Sequence, residues 1–313
     1  MEPLKTFEVP GRNIMKQFKL LLIALTAVLL IPASGLAQKQ RSCSRDSLKK
    51  AVDFYIAAQT KGDRTGMPFA AGLDYKENLA SFDINKGIIN KPMKIDFHRT
   101  MYDEATCQTF TEVIVTNSAE PYVLGTRLRV VTDKISELEI IWETTGHWLF
   151  NADNYLEYSS KENWGEIPAG KRDTREALLY AANSYLDAFI DDRRDIVPWG
   201  YPCVRIEGGA YTGKGVPEDS CEIGVPSGAN IVNRRYVIDE TTGSIVIFCT
   251  FGAGTPDGGS GAPDTHLFRV ENGKLRYVHT ITHLLQSDFS GNVAKDANYG
   301  GTAKAKAKPK AKP

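Results

Sequence analysis

The sequence SRDSLKKAVDFYIAAQTKGD, at residues 44–63, decides the fold because it returns in altered form as KRDTREALLYAANSYLDAFIDD at residues 171–192. Both stretches carry apolar residues at positions i, i+3, i+4 and i+7, which is the pattern of an amphipathic helix. A serine or threonine precedes each apolar run and can cap the helix N-terminus. Each half of the chain is therefore predicted to begin with one long helix.

The sequence that follows each helix also repeats, at an offset of about 130 to 140 residues. In this alignment Glu77 falls on Glu207, and the strand-like run QTFTEVIVT at residues 108–116 falls on GSIVIFCTF at residues 243–251. Identities are few, but the order and spacing of the predicted elements agree. The chain is therefore predicted to contain two tandem copies of one domain.

Alternating and β-branched runs follow each helix, and Gly, Asp and Asn turns separate them, for example at residues 132–134 and 271–274. A sheet that buries its apolar face against one helix must curl around that helix. The predicted fold class is α+β. It consists of two tandem cone-shaped half-barrels, each a curved antiparallel sheet wrapped around an N-terminal helix and enclosing a pocket.

The predicted boundaries divide the chain into a signal peptide, two cone domains, a linker and a tail. They are residues 1–37 for the signal peptide, 38–150 for the first cone domain, 151–171 for the linker, 172–290 for the second cone domain and 291–313 for the tail. Tyr155 and Trp164 favour a linker that packs on the surface. The tail is rich in lysine and lacks large apolar residues, so it is predicted to be disordered.

The N-terminal segment has the pattern of a cleaved signal peptide. Positive charges precede an apolar run that is short for a membrane span, and Gly35 and Ala37 place small residues at the −3 and −1 positions of a cleavage site. Translation can start at Met1 or at Met15. The sequence predicts a protein that is secreted or lies in the endomembrane lumen, with no stable membrane span after cleavage.

Five cysteines in an exported chain favour disulfide bonds, and the odd number leaves one free thiol. Cys249 lies in the strand-like run SIVIFCTF and is predicted to be a buried thiol. The other four are predicted to pair within each half, Cys43 with Cys107 and Cys203 with Cys221. Four cysteines alone permit three connectivities.

Composition and motifs limit the classes of partner. The 313-residue chain is 42% hydrophobic with a formal net charge of zero, which does not favour a nucleic-acid partner. It contains no zinc, haem, phosphate-loop or nucleotide-binding motif, so no cofactor and no metal are predicted. His279 and His283 share one strand face but lie about 13 Å apart, too far for one ion. They are predicted to lie between two packed sheets, opposite Glu139 and Glu143.

The first copy contains YIAAQTKGD at residues 55–63 and a Lys-Ile turn at residues 134–135, and the second contains YLDA at residues 185–188 and GKL at residues 273–275. This arrangement resembles the nuclear-transport-factor-2-like superfamily, which includes ketosteroid isomerase and the SnoaL-like polyketide cyclases. The tandem, signal-bearing chain is similar to fungal secreted proteins of uncharacterised function. It is also similar to ketosteroid isomerase-like proteins of fungal pathways that dimerise or cyclise maleic anhydride monomers.

The resemblance implies roles for individual residues. The oxyanion-binding tyrosine of ketosteroid isomerase falls on Tyr55 and on Tyr185, where a phenol can donate a hydrogen bond to a developing enolate. The alternative is that each tyrosine is a packed core residue. The general base of that enzyme falls on Asn78 and on Gly208, and neither residue can accept a proton. Any base in this chain must therefore be a different residue.

The candidate bases are Glu77, Glu207 and Asp103, with Asp239 as the counterpart of Asp103 in the second copy. A carboxylate that is desolvated in a pocket has a raised pKa and can transfer protons near neutral pH. The alternative is a carboxylate that pairs with an arginine such as Arg99 and holds strands together.

His266 is the leading candidate for chemistry in the second copy. The resemblance places the second oxyanion acid of ketosteroid isomerase near Thr126 and near His266. His266 lies between Asp264 and Phe268 in a predicted strand whose alternate residues face the pocket.

The predicted function is a cofactor-free cyclase or isomerase of fungal secondary metabolism, for example a dimerising cyclase of maleic anhydride monomers. Its predicted partner is a small hydrophobic or carbonyl-rich ligand. The first alternative is a secreted module that binds a small molecule or a protein without catalysis, which the missing general base favours. The second alternative is a structural protein with filled cones. The sequence does not decide the oligomeric state.

Overall fold

The computed structural model describes the chain at residues 43–191, 193–222, 229–253 and 261–288. The predicted signal peptide and basic tail lie outside these described residues. Within them, no helix combines the length and the apolar character that a membrane crossing requires.

Helix α1 spans Arg45–Lys61 and has the predicted cap. The side chain of Ser44 accepts a hydrogen bond from the Ser47 amide at 3.1 Å. Gly62 ends the helix in the left-handed region, with φ at 66°, and a side chain there would meet the Asn90 carbonyl oxygen at 2.6 Å. Glycine is therefore required at this position by both conformation and space.

Two six-stranded sheets with the same strand order follow from the repeat. The first sheet has the order β2-β1-β6-β5-β4-β3, with β1 at Phe69–Glu77, β2 at Ala80–Ser81, β3 at Phe97–Asp103, β4 at Gln108–Val115, β5 at Tyr122–Val131 and β6 at Lys134–Thr144. The second sheet has the order β8-β7-β12-β11-β10-β9, with β7 at Trp199–Glu207, β8 at Ala210–Tyr211, β9 at Ile231–Asp239, β10 at Ser244–Phe251, β11 at Ala262–Glu271 and β12 at Lys274–Thr282. The α+β class is thus confirmed, whereas the curvature into half-barrels stays a prediction.

The prediction of fully antiparallel sheets is wrong for one pairing in each sheet. Strand β1 pairs in parallel with β6, and β7 pairs in parallel with β12, while the other pairings are antiparallel. Parallel pairing needs a long connection, and residues 78–133, which include β2 to β5, form it in the first sheet. The first strand of each copy thereby ends up beside the last strand, at a register that hydropathy alone does not reveal.

Each sheet packs one face on its own helix. Helix α1 packs on the first sheet, and helix α3, at Arg175–Asp191, packs on the second. A third core forms between the opposite faces of the two sheets, with Phe110 and Phe248 in edge-to-face contact. The two sheets therefore share one interior along the whole boundary between the domains.

The predicted linker at residues 151–171 contains a short helix, α2, at Ala152–Ser159. Its Tyr155 is fully buried in the core between the sheets, and Trp164 is 8% exposed. The linker thus packs more deeply than the surface position that its sequence indicates.

Two reciprocal ion pairs join the domains. Arg45 at the start of α1 pairs with Asp239 at the end of β9, and Arg175 at the start of α3 pairs with Asp103 at the end of β3. Each pair is bidentate, and each carboxylate also accepts a backbone amide from the other domain. The helix of each copy is therefore fixed to the sheet of the other, as in a symmetric dimer.

A buried histidine lies between the sheets with two glutamates. His279 Nδ1 lies 2.9 Å from Glu112, and its Nε2 lies 2.6 Å from Glu162. Burial alone would lower the pKa of His279, but the two carboxylates raise it to about 9. The position between the sheets is as predicted, but the predicted neighbours Glu139 and Glu143 are not its hydrogen-bond partners.

The predicted disulfides are present. Cys43 bonds to Cys107 and Cys203 bonds to Cys221, while Cys249 is a buried free thiol. Each bridge closes a loop within one copy of the domain.

Candidate functional site

Polar side chains line the face of the second sheet that packs on α3. Arg205 and Glu207 lie two residues apart on β7, and Asp264 and His266 lie two residues apart on β11, so strand alternation directs each pair to one face. In the register of β10 with β11, Cys249 lies opposite Asp264. Five polar groups from three strands thus share the interior of the second domain, which we call the second cone.

Tyr185 of α3 projects into the second cone and is fully buried. Arg205 Nη1 donates a hydrogen bond to its phenolic oxygen at 3.0 Å. Burial raises the pKa of Tyr185 and outweighs the opposing effect of Arg205. The phenol therefore stays protonated at neutral pH, and its O–H can donate to a ligand.

Glu207 continues this chain of polar groups. Arg205 Nη2 lies 3.3 Å from Glu207 Oε2, and Trp148 Nε1 donates to Glu207 Oε1 at 3.1 Å. Trp148 follows the last strand of the first sheet. The turn after β7 packs closely on the same segment as Trp148. A side chain at Gly208 in this turn would meet the Trp148 carbonyl oxygen at 2.5 Å. The first domain thus positions a carboxylate of the second.

Asp264 lies at the centre of a second polar group. Its Oδ1 accepts from Thr282 at 2.8 Å, and its Oδ2 accepts from the Cys249 thiol at 3.4 Å. Burial and the charge of Asp264 raise the pKa of Cys249 well above its usual range. His266 Nδ1 lies 2.5 Å from Asp264 Oδ2, but the two atoms are not aligned for a hydrogen bond, and Nδ1 has no hydrogen-bond partner.

Aromatic rings surround His266. Its ring centroid lies 6.1 Å from that of Tyr185, and the rings of Phe251 and Phe268 are nearly parallel to it at 6.4 and 5.9 Å. Phe189 of α3 contacts it edge-on at 6.4 Å. The second cone therefore places aromatic rings around His266 and its polar neighbours.

In the interior of the first domain, the first cone, the candidate residue Tyr55 has a hydrogen-bond partner within the same domain. The Tyr55 hydroxyl is hydrogen-bonded to the Thr126 hydroxyl at 2.7 Å, and burial raises the pKa of Tyr55. Met67, Ile89 and Met93 are part of the core around Tyr55. Tyr55 is thus a packed residue whose hydroxyl already has a partner.

Both carboxylate oxygens of Glu77 likewise have hydrogen-bond partners within the first domain. It accepts hydrogen bonds from the Tyr75 hydroxyl, from the Ile88 amide and from Trp142 Nε1, the last at 3.4 Å. Three donors on one carboxylate indicate a structural role in joining β1 to the segment that follows it.

Cys249, Asp264 and His266 form the Asp264 group. The equivalent positions in the first cone carry no comparable set of polar side chains. In the register of β4 with β5, Val113 lies opposite Leu124, as Cys249 lies opposite Asp264 in the second sheet. Thr126 follows Leu124 by two residues and occupies the place of the histidine. The two cones therefore differ where the second is most polar.

The predicted site residues fall into three places. Tyr185, Glu207 and His266 share the second cone, and Tyr55 and Glu77 belong to the first cone with their polar atoms already bonded.

Asp103 belongs to neither group. It is fully buried in its ion pair with Arg175 at the domain boundary. This matches the alternative of a carboxylate that pairs with an arginine, although the partner is not Arg99, which pairs with Glu112 instead. The sequence did not reveal the partner because Arg175 lies in the other copy.

Sequence reasoning did not identify Arg205, Asp264 or Cys249 as site residues. Arg205 precedes Glu207 by two residues and Asp264 precedes His266 by two, so strand alternation was the signal that could have found them. Cys249 was correctly predicted to be buried, but its neighbour Asp264 follows from strand register alone.

A separate cleft of about 500 Å³ lies on the surface of the first domain. Its lining consists of Ser44, Asp46, Ser47, Lys50, Ala51, Phe54, Pro68, Val130 and Asp133. None of the predicted site residues lines this cleft.

A family model matches the second half of the chain. Residues 171–282 match a family described as "Domain of unknown function (DUF8021)". No curated protein matches the chain. The matched range runs from just before α3 to the end of β12 and covers roughly a third of the chain. The second domain is thus the part of the chain that is similar to this family.

Proposed function

We propose that the second domain is the catalytic half of a cyclase or isomerase that acts on a small carbonyl-rich metabolite by acid/base chemistry. The observation that carries the proposal is the chain of Tyr185, Arg205 and Glu207, in which Tyr185 and Arg205 are buried and the Glu207 side chain is 22% exposed. Arg205 lies 3.0 Å from the phenol and 3.3 Å from the carboxylate. A hydrogen-bond donor and a proton acceptor thus face one interior, as enolisation requires.

Enolisation removes a proton from the carbon next to a carbonyl while negative charge builds on the oxygen. Glu207 accepts the proton, and the Tyr185 hydroxyl donates a hydrogen bond to the oxygen. The hydrogen bond from Arg205 to the phenolic oxygen polarises the O–H toward the substrate. Return of the proton to a different carbon gives an isomer, and attack of the enolate carbon on a second carbonyl gives a ring. Neither outcome needs an oxidant or a reductant.

Two further points support this class of function. The resemblance to the nuclear-transport-factor-2-like superfamily implies a half-barrel pocket and acid/base chemistry, with fungal secondary metabolism and maleic anhydride monomers as one setting. The two disulfides are compatible with a secreted or luminal protein, since they persist in oxidising compartments.

Deuterium exchange tests the proposal. The full chain is incubated in D₂O with a panel of small β-diketones and alkyl-substituted maleic anhydrides, and exchange beside the carbonyl is followed by NMR. We expect the double variant Tyr185→Phe with Glu207→Gln to lose at least about a thousandfold in exchange rate. The matched pair Tyr55→Phe with Glu77→Gln controls for loss of the same groups in the first cone. Equal rates for the wild-type protein and the second-cone variant would contradict the proposal.

A binding module without catalysis is the second candidate. The general-base position of ketosteroid isomerase falls on Gly208, where the Trp148 carbonyl leaves no space for a side chain. A panel compound that binds tightly to the wild-type protein but undergoes no exchange would favour this candidate.

A further inference from the structure

The Asp264 group of the second cone contains three different metal-ligating side chains. The carboxylate of Asp264, the thiol of Cys249 and the imidazole of His266 each place one donor atom within 4.8 Å of the others. All three residues are at most 3% exposed. Strand pairing creates this set, because Cys249 lies opposite Asp264 and His266 follows two residues later on the same face.

One donor of the set has no hydrogen-bond partner. His266 Nδ1 is buried and lies 2.5 Å from Asp264 Oδ2 without hydrogen-bond alignment. A buried ring nitrogen without a hydrogen bond is costly, and coordination of a cation removes that cost. This atom therefore points to a ligand that the imidazole and the carboxylate share once they move slightly apart.

We propose that Cys249, Asp264 and His266 bind one divalent zinc ion. Sulfur, nitrogen and oxygen donors together suit Zn²⁺ better than the oxygen-preferring Mg²⁺ or Ca²⁺. Three protein ligands leave a fourth position open, as in catalytic zinc sites. The inference goes beyond the proposed function, because it rests on residues other than Tyr185 and Glu207, and it makes His266 a ligand.

The distances suit such a site after a small adjustment. The 3.4 Å between Cys249 Sγ and Asp264 Oδ2 is close to the spacing of about 3.5 Å that tetrahedral zinc gives a sulfur and an oxygen ligand. The spacing between Asp264 Oδ2 and His266 Nδ1 has to open by roughly 1 Å, which a small side-chain rotation supplies. Thr282 holds the other carboxylate oxygen at 2.8 Å and orients the ligand.

The first cone allows a comparison with the three proposed ligands within the same chain. The equivalent residues Val113, Leu124 and Thr126 supply no thiol, carboxylate or imidazole. One zinc ion per chain is therefore expected from this arrangement, bound in the second domain.

Cobalt substitution tests the site directly. The full chain is stripped with a chelator and titrated with Co²⁺, and Zn²⁺ is then added as a competitor. We expect one equivalent to bind with a sulfur-to-cobalt charge-transfer absorption that Zn²⁺ abolishes. The absorption must come from Cys249, because the other four cysteines are in disulfides.

Two variants and a control complete the test. Cys249→Val, which copies the first cone, should lose the absorption and weaken Zn²⁺ binding at least about tenfold, and Asp264→Asn should weaken binding to a similar degree. Val113→Ala should leave both unchanged. Absence of stoichiometric Co²⁺ binding in the wild-type protein, or an absorption that survives in Cys249→Val, would overturn the inference. Deuterium exchange by Tyr185→Phe is measured separately, so the proposed function can fail while the metal site stands.

Discussion

The two domains have the same strand order, but their interiors differ. In the first cone, Tyr55 and Thr126 satisfy each other, and Met93 and other apolar side chains pack around them. In the second cone, the buried face carries Arg205 and His266 among aromatic rings. Buried polar groups cost free energy unless they are paired, so a domain selected for stability alone would resemble the first cone.

A duplicated fold can divide its tasks between its two copies. The first domain supplies Trp148 to position Glu207, and its sheet covers the outer face of the second sheet. The reciprocal ion pairs of Arg45 with Asp239 and of Arg175 with Asp103 then hold the two copies together. One copy is thus free to keep a polar interior because the other contributes to the shared core.

The largest expected effect contrasts the two equivalent glutamates. Glu207→Gln should lower the deuterium-exchange rate of an active panel compound by about a thousandfold, because it removes the proton acceptor. Glu77→Gln should leave the rate within about twofold, because Glu77 is bonded to Tyr75 and Trp142 and has a structural role. Similar losses in both variants would show that the cones are not functionally distinct.

The disulfides should differ in their effect on stability. Replacing Cys43 and Cys107 with alanine should cost about 4 kcal/mol, and replacing Cys203 and Cys221 should cost about 3 kcal/mol, since the closed loops span 64 and 18 residues. Urea denaturation of both double variants measures the difference. A larger cost for the shorter loop would show that chain entropy does not set the order.

The two reciprocal ion pairs between the domains should contribute equally to the free energy of unfolding. Asp103→Asn and Asp239→Asn should each lower the free energy of unfolding by roughly 3 kcal/mol, because each removes the charge of a buried carboxylate that binds an arginine through both oxygens. Denaturation of both single variants tests this. If only one of the two variants loses stability, the two ion pairs do not contribute equally, although they occupy equivalent positions in the two copies.

The charge on His279 between the sheets gives an effect that depends on pH. The pKa of His279 is raised from 6.5 to about 9, so its stabilising contribution is complete below pH 6.5 and is lost as the pH rises through 9. The expected loss is on the order of 3 kcal/mol. In the first domain the equivalent position is Glu139, which pairs with Arg127 and Arg235.

His279→Gln should therefore flatten the dependence of unfolding free energy on pH between 6.5 and 9. Glu139→Gln is the matched control and should keep the wild-type slope. If the unfolding free energy of His279→Gln keeps the wild-type slope against pH, groups other than His279 cause the pH dependence.

Local patterns predicted much of this molecule, because helix periodicity and strand alternation are encoded by neighbouring residues. The two helices, the repeat and both disulfides follow from such patterns. The parallel pairing of β1 with β6, the partner of Asp103 and the contact of Cys249 with Asp264 depend on register and on the packing of one copy against the other. No spacing within one copy encodes them, which is why the site was found only in part.

The central claim is that the second cone, and not the first, carries the chemistry. The most direct measurement is the exchange rate of one active compound with Tyr185→Phe and with Tyr55→Phe, two changes that each remove one buried hydroxyl. We expect a loss of about a hundredfold for Tyr185→Phe and no more than about twofold for Tyr55→Phe. Equal losses, or a larger loss for Tyr55→Phe, would contradict it.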